Sequence, residues 1–116
     1  MPPLVSVIVP VFGRPKRLDL AIQSVLEQTN LPRDGVEIIV VDDASPVTTS
    51  IGLSSEANII RRKLNGGPAA ARNTGVEAAN GKFISFLDSD DLWLPNKLAN
   101  QLALFETISK NAIRLF

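Results

Sequence analysis

Three carboxylates lie within four positions at the end of the segment GKFISFLDSDD, residues 81–91. They belong to Asp88, Asp90 and Asp91 and directly follow a short apolar run. Like charges held this close repel one another unless a cation lies beside them. Carboxylate oxygens suit Mg²⁺ or Mn²⁺, and such an ion is typically bound by one or two carboxylates while substrate phosphates complete its shell. We therefore expect a divalent cation that carries a nucleoside diphosphate at this position.

Other groups of residues have both a chemical and a structural interpretation. Asp42 and Asp43 follow the apolar run VEIIVV, residues 36–41, and either bind a ligand or stabilise a turn through their own side chains. Gly66 and Gly67 precede an alanine-rich stretch and favour a tight turn over a phosphate loop, because no Gly-Lys-Ser/Thr sequence follows them. For the acidic trio, the structural alternative is that it caps the next helix or is solvated in a loop.

The composition limits the classes of function open to the chain. Its 116 residues, 45% hydrophobic and 21% charged, fit one globular domain with a modest core. Twelve basic residues balance twelve acidic ones, which leaves no basic field to hold a nucleic acid. Cysteine and histidine are absent, which excludes disulfides, thiolate or imidazole metal ligands and a histidine base. No secretory signal is visible, and no apolar run approaches the about 18 residues of a spanning helix, so we expect a soluble chain.

Four apolar runs predict the strands that position these residues. They cover residues 4–11, 36–41, 58–64 and 83–87, and their Val and Ile content is typical of a buried parallel sheet. The third run is more polar, so we place it nearer the sheet edge. Helical patterns separate the strands, which predicts a doubly wound α/β sheet of about four parallel strands with helices on both faces.

Three helices are predicted between and after these strands. The first begins after a turn at residues 12–15, and its apolar stripe consists of Leu18, Ala21, Ile22, Val25 and Leu26. The second covers residues 69–79, where alanines allow close approach to the sheet, and ends in a left-handed cap at Asn80 and Gly81. The third begins near Pro95, and the residues on its apolar face are Leu98, Leu102, Phe105 and Ile108. Residues 44–57 lack periodicity and predict a loop with one weak helix.

The predicted topology brings the candidate residues to one rim of the sheet. In such sheets ligands bind outside the carboxyl ends of the strands, where the strand order reverses. Phe12, Asp42, Asp43 and the acidic trio all follow strand ends. The segment NGG, residues 65–67, lies at the same rim, and the amino end of the next helix offers unpaired N–H groups that favour an anion.

Four segments in this order resemble the amino-terminal, nucleotide-binding half of the glycosyltransferase family 2 domain, which has the GT-A fold. They are VSVIVPVF (residues 5–12), VVDDAS (40–45), NGGPAAARNTG (65–75) and FLDSDDLWLP (86–95), the last of which resembles the metal-binding DxD segment. The match runs from about Val5 to Gln101. It implies transfer of a sugar from a nucleoside-diphosphate sugar to an acceptor hydroxyl, with inversion at the anomeric carbon and with Mn²⁺ or Mg²⁺ as cofactor.

The resemblance also implies roles for individual residues. Asp90 is the implied metal ligand, and Asp88 faces the ribose or shares the metal. One of Asp42 and Asp43 accepts a hydrogen bond from the base, which favours a uracil-like imide and a UDP-linked donor. The implied nucleotide-binding set is Pro10, Val11, Phe12, Asp42, Asp43, Gly66, Arg72 and Asp88.

Three of the implied contacts have structural alternatives. Phe12 either stacks on the base or fills the core, and Gly13 stands where the family usually has Asn. Arg72 either reaches the base or a phosphate, or is a solvated helix residue. Trp93 either packs over the loop after the acidic trio or stacks on a sugar.

The resemblance covers a partial domain. Glu106 is the only acidic residue after Asp91, and the family's general base lies in a second half, so we expect the base beyond residue 116 and no turnover by this chain alone. The implied acceptor is a saccharide or a lipid-linked saccharide used in envelope polysaccharide synthesis. The implied location is cytoplasmic, with peripheral association of the full-length protein at the inner membrane face.

Two other classes of protein are alternatives. A phosphoacceptor receiver domain has a similar length and sheet, but its acidic pair follows the first strand and a single Asp follows later. Here the pair follows the second strand, and the later site is a triplet. The other alternative is a non-catalytic nucleotide- or carbohydrate-binding module that retains the fold, which loss of metal-dependent nucleotide binding would favour.

Overall fold

The structure is a computed structural model that describes residues 3–13, 16–32, 35–46 and 56–111, without the side chains of residues 108–111. Its strands are β1 (Val5–Val11), β2 (Val36–Asp42), β3 (Asn58–Arg61) and β4 (Phe83–Phe86), and its helices are α1 (Leu18–Leu26), α2 (Pro68–Ala78) and α3 (Lys97–Asn111). None of the helices in these ranges is long and apolar enough to cross a membrane. The predicted turn at residues 14–15, the weak helix within residues 47–55 and the side chain of Ile108 lie outside the described residues.

The four strands form one parallel sheet in the order β3-β2-β1-β4. β1 and β2 are central and mostly buried, as their apolar runs predict. β3 lies at one edge, which confirms the prediction from its polar composition, and it ends at Arg61 rather than at residue 64. The strand order reverses between β1 and β4, because the chain runs outward from β1 to β3 and then returns to the other side of β1. The predicted α/β fold class is therefore confirmed.

Side chains alternate across the central strands, and helices cover both faces of the sheet. The odd-numbered valines of β1 pack with α1 and α3 in one cluster. Ile8, Ile39 and Val41 pack in a second cluster with the fully buried Ala71 of α2, which confirms the close approach of this alanine-rich helix. In α1 the predicted apolar stripe is buried, but Leu26 is 40% exposed, so its assignment to the stripe is wrong.

The end of α2 differs from the sequence prediction. A left-handed cap at Asn80 and Gly81 is wrong, because the capping residue is Ala79 in an extended conformation and neither following residue has a positive φ. The N–H of Asn80 donates to Oε1 of Glu37 at 2.6 Å, and the N–H of Gly81 donates to Oγ of Ser6 at 2.8 Å. These N–H groups therefore donate to acceptors on β1 and β2. In a left-handed cap they would donate to carbonyl groups in the last turn of the helix.

These bonds give Glu37 a role in the pH dependence of stability. Burial raises the pKa of Glu37, but hydrogen bonds donated by the Ser6 hydroxyl and by Asn80 outweigh it, so the pKa lies below its ordinary value. Its stabilising contribution is therefore complete above the ordinary carboxyl pKa of about 4.3 and is lost as the pH falls below that value.

We expect Glu37→Gln to lower the free energy of unfolding at neutral pH but to have a smaller effect at about pH 3.5, because below the ordinary carboxyl pKa the unfolded chain is protonated at Glu37 and the stabilisation falls. Urea unfolding of both proteins at the two pH values measures this difference. An effect of equal size at both pH values would contradict it. Glu77→Gln, at an exposed position of α2, is the matched control and is expected to show no such dependence.

β4 forms the other edge of the sheet, and the described residues leave one of its faces partly exposed. Ile84 and Phe86 lie in register with Ser6 and Ile8 of β1, which places them on the α2 side, and they are 42% and 45% exposed. No strand in the described part of the chain pairs with the outer edge of β4.

Candidate functional site

A cavity of about 410 Å³ opens at the rim predicted from the sequence, at the carboxyl ends of β1, β2 and β4. Its lining consists of Pro10, Val11, Phe12, Asp43, Arg72 and Asp88 from the predicted set, together with Asn65, Gly67, Pro68, Ala71 and Ser89. The predicted residues Asp42, Gly66 and Asp90 lie outside this lining. The cavity lies where the strand order reverses, which is the position that doubly wound sheets use for ligands.

Phe12 follows β1 and lies at the mouth of the cavity. Its side chain is 57% exposed, so the alternative that it fills the core is wrong. The next residue, Gly13, has a φ of 80° and donates its N–H to Oγ of Ser45 at 2.8 Å. This bond ties the end of β1 to the turn after β2 and leaves the ring of Phe12 at the surface.

Asp42 is the last residue of β2 and stabilises the turn that follows. Its Oδ1 accepts hydrogen bonds from the N–H and the hydroxyl of Ser45, and its Oδ2 accepts one from Nη1 of Arg61 at 2.9 Å. Only 1% of Asp42 is exposed. Ala44 in this turn has a φ of 60°, a conformation that L-residues adopt at a penalty of about 1–2 kcal/mol. The position of Asp42 therefore agrees with the structural alternative, in which its side chain stabilises the turn.

Asp43 is also buried, but it faces the opposite side of the strand and lines the cavity. Its Oδ1 accepts from Nε of Arg62 at 2.8 Å, and its Oδ2 accepts from the N–H of Gly67 at 2.8 Å. The N–H of Gly66 donates to both oxygens, at 3.1 and 3.2 Å. We expected an exogenous anion at the amino end of α2; the anion that these two N–H groups bind is the Asp43 carboxylate. Gly67 has a φ of 89°, which favours glycine at this helix cap.

Arg72 and Asp88 lie next to each other in the lining of the cavity. Nη2 of Arg72 lies 3.5 Å from Oδ1 of Asp88, and the two side chains are 39% and 59% exposed. An ion pair this long and this well solvated contributes little to stability. Both groups are therefore available to a ligand, which distinguishes them from the buried pairs of Asp42 and Asp43.

The acidic trio forms a turn in which the N–H of Asp91 donates to the carbonyl of Asp88 at 3.1 Å. All three carboxylates are exposed. Within the described residues, no three acidic side chains converge into a metal site built by the protein alone. Mg²⁺ and Mn²⁺ commonly bind through one or two carboxylates together with substrate phosphates, and Asp88 and Asp90 beside the cavity fit that mode of binding.

Trp93 lies beyond this turn and packs against the core cluster shared by α1 and α3. Its backbone N–H donates to Oγ of Ser24 at 3.1 Å, and Nζ of Lys97 lies 4.7 Å from the centre of its ring. Trp93 thus fixes the turn to α1, and the ammonium group of Lys97 occupies one face of its ring.

The sequence reasoning missed Arg62 and assigned no contact to Asn65, whose Nδ2 donates to the carbonyl of Asp43 at 3.2 Å. A signal for Arg62 exists in the strand register. β2 and β3 are parallel neighbours that pair Asp42 with Arg61. The residues that follow the two strands, Asp43 and Arg62, therefore also meet. Without knowledge of that register, the sequence does not show whether a basic residue after a polar edge strand binds a carboxylate or is solvated.

Residues 6–113 match the family described as Glycosyl transferase family 2. The chain belongs to this family, which confirms the resemblance carried by the four sequence segments.

Two curated relatives show the extent of the similarity. An uncharacterized glycosyltransferase of Rickettsia bellii is 42% identical over 106 residues, which cover 88% of this chain and 15% of the relative. The Escherichia coli protein named UDP-Glc:alpha-D-GlcNAc-diphosphoundecaprenol beta-1,3-glucosyltransferase WfgD is 37% identical over 105 residues, which cover 87% of this chain and 40% of that protein. The chain therefore spans well under half the length of either relative.

Solved structures show the same fold. Residues 1–349 of Staphylococcus aureus TarS in complex with UDP-GlcNAc give a TM-score of 0.77 at 29% identity, over 91% of this chain and 32% of that chain. The mannosyltransferase PcManGT from Pyrobaculum calidifontis, in complex with GDP-Man and Mn²⁺, gives a TM-score of 0.71 at 30% identity, over 88% of this chain and 32% of that chain. This chain thus corresponds to about a third of each of these GT-A glycosyltransferase chains.

Proposed function

We propose that this chain forms the nucleotide-binding part of a metal-dependent, inverting glycosyltransferase that moves a sugar from a UDP-linked donor to an acceptor hydroxyl. The observation that carries the proposal is the cavity at the strand reversal, where a buried carboxylate, an exposed aromatic ring, a solvated arginine and an acidic turn meet. A nucleoside diphosphate has complementary parts in its base and its two phosphates. The names of WfgD and of the TarS complex, which both contain a UDP-sugar, support uridine as the base.

The base is assigned to the side of the cavity formed by β1 and β2. Asp43 is the carboxylate that lines the cavity, so we propose that it, rather than Asp42, accepts the imide N–H of uracil. Phe12 lies at the mouth with an exposed ring, which is available to stack on the base.

The phosphates are assigned to the side formed by α2 and the acidic turn. Arg72 forms only a long, solvated pair with Asp88, so a phosphate can replace that carboxylate as its partner. Asp88 then turns to the ribose or, with Asp90 and the donor phosphates, holds the divalent cation. The presence of Mn²⁺ with GDP-Man in the PcManGT complex supports this cofactor.

In the proposed reaction, the acceptor oxygen forms a bond to the anomeric carbon as the bond from that carbon to the phosphate oxygen breaks. The acceptor proton passes to a base, and the nucleoside diphosphate departs with the bonding electrons. Mg²⁺ or Mn²⁺, when bound, supplies positive charge to the departing diphosphate. The described residues build the donor side of this reaction, and we assign the general base to none of them.

The acceptor is proposed to be a saccharide or a lipid-linked saccharide at the cytoplasmic face of the membrane, in the synthesis of envelope polysaccharide. The support is the diphosphoundecaprenol acceptor in the name of WfgD.

The proposal is tested by calorimetric titration of the chain with the diphosphates of uridine, guanosine, thymidine and cytidine, with and without Mn²⁺. We expect UDP to bind, and we expect Mn²⁺ to tighten its binding at least about tenfold, which corresponds to about 1.4 kcal/mol. Asp90→Asn is expected to remove most of the Mn²⁺ effect, because an amide is a much weaker ligand for a hard cation than a carboxylate.

Glu77→Gln is the control, since it makes the same change of charge at an exposed position of α2 outside the cavity lining. It is expected to keep the Mn²⁺ effect. A wild-type chain that binds none of the four diphosphates would refute the proposed function. Binding that ignores Mn²⁺ would refute the metal dependence alone.

A further inference from the structure

Arg62 connects three parts of the site through one side chain. Its Nε donates to Oδ1 of Asp43 at 2.8 Å, and its Nη1 donates to Oγ1 of Thr74 and, at 3.4 Å, to the carbonyl of Ala70. Thr74 in turn donates to the same carbonyl at 3.1 Å. Only 26% of the arginine side chain is exposed. The guanidinium therefore links the carboxylate after β2 to the first turns of α2, the helix that carries Arg72.

We propose that Arg62 is a positioning residue that fixes the orientation of Asp43 and so sets the preference of the site for a base with an imide N–H. The inference rests on the proposed function, in which Asp43 faces the base. Arg62 itself lies outside the cavity lining, so we assign it a role through Asp43 rather than a direct contact with the base.

The hydrogen bonds of Asp43 explain how the arginine acts. An ionised carboxylate has about four acceptor positions. Three donors, from Arg62, Gly66 and Gly67, make four contacts with these positions, because the N–H of Gly66 is shared between both oxygens. They hold the carboxylate plane, and because one of the three donors is shared, the carboxylate can still accept one N–H from the cavity that it lines.

A carboxylate held in this way discriminates between uracil and cytosine. The N3 position of uracil carries a hydrogen and donates to an acceptor, whereas N3 of cytosine is itself an acceptor and meets the carboxylate unfavourably. Discrimination of this kind depends on a fixed partner, because a carboxylate that turns freely moves away from the wrong base at little energetic penalty.

Arg61 provides a built-in comparison. It binds the neighbouring carboxylate in a similar manner, with Nη1 at 2.9 Å from Oδ2 of Asp42 and Nη2 at 2.7 Å from the carbonyl of Ser45. Asp42 does not line the cavity. The two adjacent arginines thus support adjacent aspartates, but only Arg62 supports the one that faces the proposed base.

The test compares Arg62→Met with Arg61→Met and Lys63→Met in the whole chain. Dissociation constants for UDP and CDP are measured by calorimetry at one Mn²⁺ concentration, and thermal unfolding is followed in parallel. Arg62→Met is expected to lower the ratio of the CDP to the UDP dissociation constant by about tenfold, the scale of one hydrogen bond to a charged group. Arg61→Met is expected to lower the melting temperature but keep the ratio. Lys63→Met, which removes the same charge at an exposed residue, is expected to change both constants by a similar factor.

Two further variants keep the inference open to refutation if Arg62→Met does not fold. Arg62→Lys keeps the charge but cannot bridge Asp43 and Thr74 with a planar fork. Thr74→Val removes one of the two acceptors of the guanidinium on α2 and leaves the carbonyl of Ala70. Each is expected to lower the ratio in the same direction by a smaller factor. A preference for UDP that survives in these variants and in any folded Arg62→Met would overturn the inference and leave the proposed function intact. A wild-type chain without measurable UDP binding would overturn both.

Discussion

Asp43→Asn is expected to weaken UDP binding on the order of 10- to 100-fold, because the cavity loses a charged acceptor for the base. The same change is expected to lower the free energy of unfolding on the order of 2–4 kcal/mol, since the half-buried guanidinium of Arg62 loses its ionic partner. In the wild-type protein the N–H groups of Gly66 and Gly67 both donate to Oδ2 of Asp43. An asparagine side chain that places its NH₂ group at this position opposes two donors with another donor. Urea unfolding and calorimetric titration, at a temperature where both proteins are folded, measure the two effects.

Asp42→Asn is the matched control, because it makes the same substitution in the adjacent and equally buried carboxylate. It is expected to destabilise the fold through the Arg61 pair and the Ser45 turn, while the folded protein keeps most of its UDP affinity. The reverse pattern, with affinity lost in Asp42→Asn and kept in Asp43→Asn, would show that the base lies against the other carboxylate.

Gly81→Ala is expected to lower stability about as much as Asp43→Asn. A Cβ at this position lies 2.5 Å from the N atom of Ser6 and 2.8 Å from the carbonyl carbon of Val5, and the backbone of a central strand cannot move aside. Overpacking of a core typically lowers stability by about 1–3 kcal/mol, and contact with backbone places this variant at the upper end of that range. Gly81 does not have a positive φ, so alanine can adopt its backbone conformation. The loss of stability therefore measures the clash of the new Cβ with β1 rather than backbone strain.

The urea midpoint of Gly81→Ala measures this effect, and Lys82→Ala at the next, exposed position is the control. We also expect weaker UDP binding by Gly81→Ala, because a displaced β4 carries Asp88 away from the cavity. Equal stability of the two variants would contradict the close contact between β1 and the loop before β4.

The fold and the rim of the site were predictable because both depend on local patterns. Buried parallel strands have continuous apolar runs, and polar residues after each run necessarily meet at one rim. The end of α2 was not predictable in the same way, since the acceptors that replace its expected cap, Glu37 and Ser6, lie on strands far away in the sequence.

The choice between Asp42 and Asp43 depends on the face of β2 that α2 covers. Alternation places Asp43 on the side of Ile39 and Val41, which pack with α2, and Asp42 on the other side. The sequence defines this alternation, but the face that a helix takes is decided by tertiary packing. The contacts of Arg62 escaped prediction for the same reason, because they follow from the pairing of β2 with β3.

The partly exposed edge strand β4 has a practical consequence for all of these measurements. Ile84 and Phe86 leave β4 with an apolar face beside an outer edge to which no described strand is bound. Unpaired backbone groups next to apolar side chains act as a template for strand addition by another molecule. Concentration-dependent oligomers are therefore to be expected in titrations at high protein concentration, and sedimentation at the working concentration should accompany each binding isotherm.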